Sequence, residues 1–218
     1  MALRINDTIP NLTVATDQGE ISLHDWVGDG WAIIFSHPKD FTPVCTTEFS
    51  AVAKLSAEWA KRGTKVLGVS VDGVAEHVKW KADIESFEGA KPDFAIVADD
   101  RLEMAKAFDM LPADAILPDG RTPADSATVR SVYIVGPDKK LKLSMTYPMT
   151  VGRNFSEILR ALDALQTSGK ENVATPADWS VGDDIVVPVA VSDADAIAKY
   201  GAIETHLPYL RTAKLKAA

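Results

Sequence analysis

Phe35-Ser36-His37-Pro38-Lys39-Asp40-Phe41-Thr42-Pro43-Val44-Cys45-Thr46-Thr47-Glu48 joins an apolar run, Trp31 to Ser36, to a segment with helical periodicity. A run without polar alternation fits a strand covered on both faces. Pro43 fits the first helical position, where its missing N–H costs nothing, so Thr42 stands at the N-cap and Cys45 is the third helical residue. Cys45 is the only cysteine in 218 residues, so any thiol chemistry happens in this strand-to-helix turn.

The same alternation of strand and helix continues outward from this stretch. Leu12 to Leu23 reads as a hairpin turning at Asp17 to Gly19. Further strands are expected at Val66 to Val71, Phe94 to Val97, Ser131 to Val135 and Leu141 to Thr146, each apolar or β-branched and bounded by Gly, Pro or Asp. Helices are expected at Thr47 to Lys61, Ala75 to Ser86, Arg101 to Phe108 and Asn154 to Gln166, with Gly63 and Gly169 as stops. The pattern predicts an α/β domain. Leu111 to Asp125, rich in Pro, Ala, Asp and Gly, reads as a long irregular loop. Near residue 170 periodicity fades, which divides the chain into 1–168 and a smaller segment, 169–218, too short for an independent core and expected to pack on the first domain or on a second subunit.

Composition narrows the function. The chain carries 31 acidic residues against 23 Lys and Arg, a formal net charge of -8, which opposes a phosphate-binding surface and makes nucleic acid an unexpected partner. No uncharged apolar run reaches membrane-spanning length, and Met1 to Asp7 lacks the apolar stretch of a secretory signal, so no membrane association is expected and a cytoplasmic location is. A single cysteine excludes an intramolecular disulfide and any Cys-x-x-Cys redox or zinc site. Neither a cofactor nor a metal is expected. A thiol oxidised here must be restored by a partner from outside the chain.

A lone cysteine is most often a small buried hydrophobe, so its neighbours decide whether it reacts. Keeping a cysteine mostly as thiolate at neutral pH takes about 3 kcal/mol of differential interaction. A helix N-terminus supplies about 0.3 to 1 kcal/mol, which leaves most to a nearby cation and hydrogen bonds, so an arginine is expected to face Cys45. The Thr42 hydroxyl can serve as N-cap or donate to the sulfur or a bound oxygen. Pro38 can wall the thiol from water or simply end the strand. His37 reads as a base, a donor or an ordinary polar residue, and Glu48, one turn beyond the thiol, as an anchor for an arginine.

Pro38-x-x-x-Thr42-x-x-Cys45 within His37 to Glu48 resembles the peroxiredoxin family. Thr128 to Val135, Tyr147-Pro148, Gly152 to Phe155, Ala174 to Trp179 and Gly182 to Asp184 extend the resemblance over almost the whole chain, to the long one-cysteine branch. The resemblance implies a thioredoxin-like fold and a peroxidase in which the Cys45 thiolate attacks hydrogen peroxide or an organic hydroperoxide and becomes a sulfenic acid. It implies that Arg130 is the required cation, that Thr42 and Arg130 hold the peroxide oxygens and that Pro38 shields the thiol. His37, Val44, Glu48 and Arg153 are implied to bind substrate or support the groups that do. An external thiol, glutathione or a thioredoxin-like protein, is expected as the reductant, with ascorbate also open, and the resemblance implies a homodimer or a ring of dimers as the assembly. Some animal members carry Gly-x-Ser-x-Gly before the core strand; here the stretch is Gly28-Asp29-Gly30-Trp31-Ala32, Gly30 replaces the serine, and no serine-type phospholipase activity is expected although His24 is retained. Two other classes fit a lone thiol: a redox-regulated chaperone or sensor, and a cysteine hydrolase with His37 as base.

Overall fold

The structure is a computed structural model that describes residues 3–115 and 126–215. It divides into two compact units, Met1–Phe155 and Ser156–Ala218. The first holds β1 (Thr13–Thr16), β2 (Gly19–Ser22), α1 (Leu23–Val27), β3 (Trp31–Ser36), α2 (Pro43–Lys54), α3 (Ser56–Lys61) and β4 (Thr64–Ser70). It continues with α4 (Val74–Glu88), β5 (Ala95–Ala98), α5 (Glu103–Ala107), β6 (Arg130–Val135) and β7 (Leu141–Tyr147). The strands form one sheet in the order β2-β1-β5-β4-β3-β6-β7, with β3, β4 and β5 parallel and the rest antiparallel.

Hydrophobic pattern tracks position in this sheet. The central strands β3, β4 and β6 are buried almost end to end, as continuous apolar runs require, whereas β1 alternates exposed and buried. Ile34, Leu67, Val69, Val97 and Tyr133 belong to one core cluster. The next residue of β3, Phe35, points the other way and meets Phe49, Phe94 and Phe155 at ring-centroid distances of 5.0, 5.8 and 5.8 Å. Gly68, paired with Phe35 in register, makes room for this aromatic group, since a Cβ there would stand 2.9 Å from the Phe49 ring.

Several expected boundaries shift for identifiable reasons. The helix expected over Thr47 to Lys61 is two helices, because Leu55 bonds three residues back and the Trp59 indole takes the Val52 carbonyl at 3.1 Å. α5 is shorter than Arg101 to Phe108: Leu102 is left-handed at φ 59°, and the Asp99 carboxylate accepts the first helical N–H groups, of Met104 and Ala105, at 3.1 and 2.7 Å. Within the expected loop, Ala115 N–H closes a turn on the Pro112 carbonyl at 3.1 Å, and residues 116–125 of it lie outside the described residues.

The second unit contains most of α6 (Phe155–Glu171), then β8 (Ile185–Val186), α7 (Asp193–Tyr200), β9 (Glu204–Leu207) and β10 (Leu210–Ala213). Its strands form a sheet in the order β8-β10-β9 over a core of Val173, Trp179, Ile185, Val187, Ala196, Tyr200 and Ala213. Gly169 does not stop α6; the helix tolerates it and ends at Glu171, followed by Asn172, which turns left-handed at φ 52°. The units therefore divide at the start of α6, ahead of the polar stretch near residue 170. No helix among the described residues is long and apolar enough to cross a membrane.

Candidate active site

Strand β3 runs out at Ser36, and the chain crosses to α2 through His37, Pro38, Lys39, Asp40, Phe41 and Thr42. Thr42 is extended (φ -114°, ψ 146°) and Pro43 opens the helix, which puts Cys45 in its first turn, fully buried. β6, beside β3 in the sheet, starts at Arg130, and this register carries its guanidinium to the thiol: Nη1 lies 3.3 Å from Cys45 Sγ. At that distance a guanidinium and a thiolate attract by about 5 kcal/mol at an effective dielectric of about 20, several times the helix contribution.

Arg130 does not act alone. Its Nη1 also donates to Glu48 Oε2 at 2.7 Å, and its Nε to the Met149 carbonyl at 2.8 Å. Arg153 takes the other side of Glu48, with Nε on Oε1 at 2.8 Å and Nη2 on Oε2 at 2.7 Å, while its Nη1 donates to the Ser36 and Ser131 carbonyls at 2.8 and 2.9 Å. The Arg153 guanidinium also lies over the rings of Phe35 and Phe155, 5.1 and 5.5 Å from their centroids. Burial opposes ionisation of Glu48, but hydrogen bonds and charge from Arg153, then Arg130, outweigh it and hold the carboxyl below its usual range. Two cations share one anion, which leaves net positive charge beside Cys45.

Of the residues singled out in the sequence, Cys45, Glu48, Arg130 and Arg153 meet in one buried group. Val44 is half-buried and would be 3.5 Å from a Cβ placed on Gly152; Pro38 is buried in the connecting loop. Thr42 occupies the N-cap position, but its hydroxyl makes no cap bond and instead donates to the Lys39 carbonyl at 3.0 Å. The His37 ring is held by other groups: its Nε2 bonds Asp40 Oδ1 at 2.7 Å and it stacks on Trp80, centroids 5.0 Å apart. Burial pushes the His37 imidazole below its ordinary value, and its Nδ1 has no hydrogen-bond partner among the described residues.

Sequence reasoning passed over the network behind that histidine. Asp40, Asp72, His77 and Ser70 are all buried, with Asp40 Oδ2 accepting from His77 Nδ1 at 2.6 Å and Asp72 Oδ2 accepting from the Asp40 N–H at 2.8 Å and the Ser70 hydroxyl at 3.0 Å. His77 Nε2 points at the Val97 carbonyl, 3.2 Å away. His37, Asp40 and Asp72 place one ligand atom each within 4.8 Å of one another, and His37 Nε2 is bonded to Asp40 Oδ1. Asp40 was within the quoted stretch; His77 carried no signal, because only folding brings α4 to that loop.

Asp40 makes acid stability testable. Burial would raise its pKa, but hydrogen bonds from His37 and His77 prevail and lower it from 3.8 to about 2. Its contribution is therefore complete above about pH 4 and lost as pH falls toward about pH 2. Asp40→Asn is expected to shrink the stability difference between about pH 5 and about pH 2 by roughly 2 kcal/mol, measured by urea unfolding. An unchanged difference would show that the network does not hold Asp40 ionised.

Comparison with known proteins places this geometry. Residues 5–144 match the AhpC/TSA family, and residues 164–202 match the C-terminal domain of 1-Cys peroxiredoxin. The chain belongs to the one-cysteine peroxiredoxins. The mitochondrial peroxiredoxin PRX1 of Saccharomyces cerevisiae is 46% identical over 217 residues, 98% of this chain and 82% of that protein. 1-Cys peroxiredoxin A of Oryza sativa subsp. japonica is 47% identical over 200 residues, 91% and 89% of the two chains. A cysteine-to-serine mutant of peroxiredoxin 6 from Arenicola marina superposes with a TM-score of 0.91 at 40% identity, over 100% of both chains. This peroxiredoxin thus has the thioredoxin-like fold and the activity of a thiol peroxidase. In the position of the animal-type serine it has Gly30, where a Cβ would stand 3.0 Å from the Gly63 carbonyl, and His24 Nε2 is bonded to the Ile9 carbonyl at 2.8 Å.

The Arg153 pairing makes the second test in this site. Arg153→Met keeps much of the volume but strips four side-chain hydrogen bonds: the Ser36 and Ser131 carbonyls lose the guanidinium, and buried Glu48 is left with Arg130 on Oε2 and only the backbone N–H of residue 153 on Oε1. Removing one partner of a buried pair costs about 3 to 5 kcal/mol, and that loss is expected in denaturant unfolding of this variant. A loss below about 1 kcal/mol would mean that the ion pair does not hold the site together.

Proposed function

We propose that Cys45 is the peroxidatic nucleophile, with Arg130 as the cation that stabilises its thiolate and the oxygens of the bound peroxide. The observation that carries this is the 3.3 Å approach of Arg130 Nη1 to the only thiol in the chain. The sulfur attacks one peroxide oxygen, the O–O bond breaks, and the other oxygen leaves with a proton as water or alcohol. Cys45 becomes a sulfenic acid. Arg130 supplies donors where charge develops, and the Thr42 hydroxyl turns from the Lys39 carbonyl to the peroxide. Pro38 excludes water, Val44 lines the approach, Glu48 orients Arg130, Arg153 holds Glu48, and His37 supports the loop.

One thiol then attacks the sulfenic sulfur, releasing water and forming a mixed disulfide, and a second thiol attacks the reductant's sulfur in that bond, releasing Cys45 as a thiol and the reductant as a disulfide. The yeast mitochondrial 1-Cys peroxiredoxin, 46% identical to this chain, resolves its thiol via glutathione/thioredoxin systems, which supports the same two classes of reductant here. A cysteine that must return to the thiol suits a reducing compartment, which supports the cytoplasm. β7 is the last strand of its sheet, and beyond Leu141, which bonds Asn6 and Asp7, no strand among the described residues pairs its outer edge, which supports a homodimer, with segment 169–218 contributing to it and larger assemblies of dimers following.

Rapid mixing of the reduced protein with hydrogen peroxide or an alkyl hydroperoxide should oxidise Cys45 stoichiometrically, adding one oxygen in the mass spectrum, and turnover should follow on adding glutathione or a thioredoxin system. Oxidation no faster than that of free cysteine would refute the reading.

A further inference from the structure

Helix α4 packs against α2 and carries two side-chain donors one turn apart, His77 and Trp80. His77 Nδ1 grips Asp40 Oδ2 at 2.6 Å, ahead of the thiol. Trp80 Nε1 donates to Thr46 Oγ1 at 3.1 Å, just past it. The Thr46 hydroxyl passes the contact on, donating at 2.9 Å to the Thr42 carbonyl, which also accepts the Thr46 N–H at 3.0 Å. Both ends of the segment Phe41–Cys45 are thereby tied to one helix.

That segment needs holding. Phe41 is a non-glycine residue at φ 54° and is half exposed, so little of its own side-chain packing keeps it there. Residues in this left-handed region persist when their surroundings over-determine them. Asp40 meets that condition on one side through its backbone N–H to Asp72, its Oδ1 to His37 and its Oδ2 to His77. Thr46 meets it on the other through Trp80, which is itself stacked on His37 and packed on Phe49 at 4.6 Å.

We propose that His77 and Trp80 are positioning residues for peroxide reduction, clamping Asp40 and Thr46 so that the strained turn between them presents Cys45 to Arg130. Each acts through the residue it grips. This rests on Cys45 as the peroxidatic nucleophile. Because the attack depends on alignment, a displacement of about 1 Å costs on the order of 100-fold in rate, so a partial release of the turn is visible in kinetics well before unfolding.

The test separates grip from packing. Trp80→Phe keeps an aromatic ring but removes the donor, and Thr46→Val keeps the shape but removes the hydroxyl; each is expected to slow Cys45 oxidation by hydrogen peroxide about tenfold in stopped flow, with the double variant no slower than either. Thr46→Ser restores the hydroxyl and should recover most of the rate. At position 77, asparagine places its amide near Nδ1 and keeps the hydrogen bond to Asp40, whereas glutamine reaches toward the Val97 carbonyl and loses it. His77→Asn should therefore stay within a few-fold of the parent and His77→Gln should fall about tenfold. Trp80→Phe at the parent rate, or equal rates for the two position-77 variants, would overturn the proposal. A parent protein no faster than free cysteine would remove the nucleophile assignment, and this proposal with it.

Discussion

Serine in place of Cys45 is expected to abolish peroxide reduction while leaving the protein folded. The chain has no second thiol to take over. A serine hydroxyl is far less acidic than a thiol, and its oxygen lone pairs are far less polarisable and nucleophilic toward an O–O bond than those of sulfur. The fold survives because Arg130 and Arg153 keep their bonds to Glu48, which the substitution does not touch. Peroxide consumption with a thiol reductant should drop to the rate without protein, with a melting temperature within a few degrees of the parent. Retained turnover would show that the chemistry lies elsewhere.

Arg130→Met should slow Cys45 oxidation by about two to three orders of magnitude, on the scale seen when a charge-stabilising donor is removed from an active site. Two losses add. Methionine fills the space but offers no charge, so the roughly 5 kcal/mol attraction across 3.3 Å disappears, though part of it was already shared with Glu48. In the proposed reaction a donor to the developing charge on oxygen goes as well. Glu48 keeps Arg153 on both of its oxygens, so the stability loss should be smaller than for Arg153→Met. The decisive comparison is the rate constant from rapid mixing beside the unfolding free energy of each variant. An Arg130→Met protein that oxidises within a few-fold of the parent would mean that the helix terminus and Thr42 suffice.

The β3–α2 stretch was legible from end to end because its signals are local. A run of apolar residues specified a strand buried on both faces, and Pro43 after Thr42 specified where the helix starts. Less was legible where a side-chain hydrogen bond competes with the local periodic preference. Asp99 capping α5, Trp59 interrupting the helix at Leu55 and Thr42 bonding Lys39 instead of its own helix all depend on groups that periodicity does not reveal. Arg130 and Arg153 were reached through family resemblance, since an arginine's sequence context does not tell which anion it will meet.

By itself, the sequence determined that a lone thiol sits in the first turn of a helix after a buried strand, and that its oxidised form needs an outside reductant. Both follow from residue identity and from backbone rules acting over a few positions. Only the tertiary structure decided what surrounds the sulfur. The antiparallel register of β3 with β6 delivers Arg130 across 85 positions, and Glu48 binds two arginines. α4 brings His77 and Trp80 to the reactive turn. Those contacts are set by how the sheet pairs and how α4 packs on α2, and the energy of a buried charge depends on such neighbours far more than on its place along the chain.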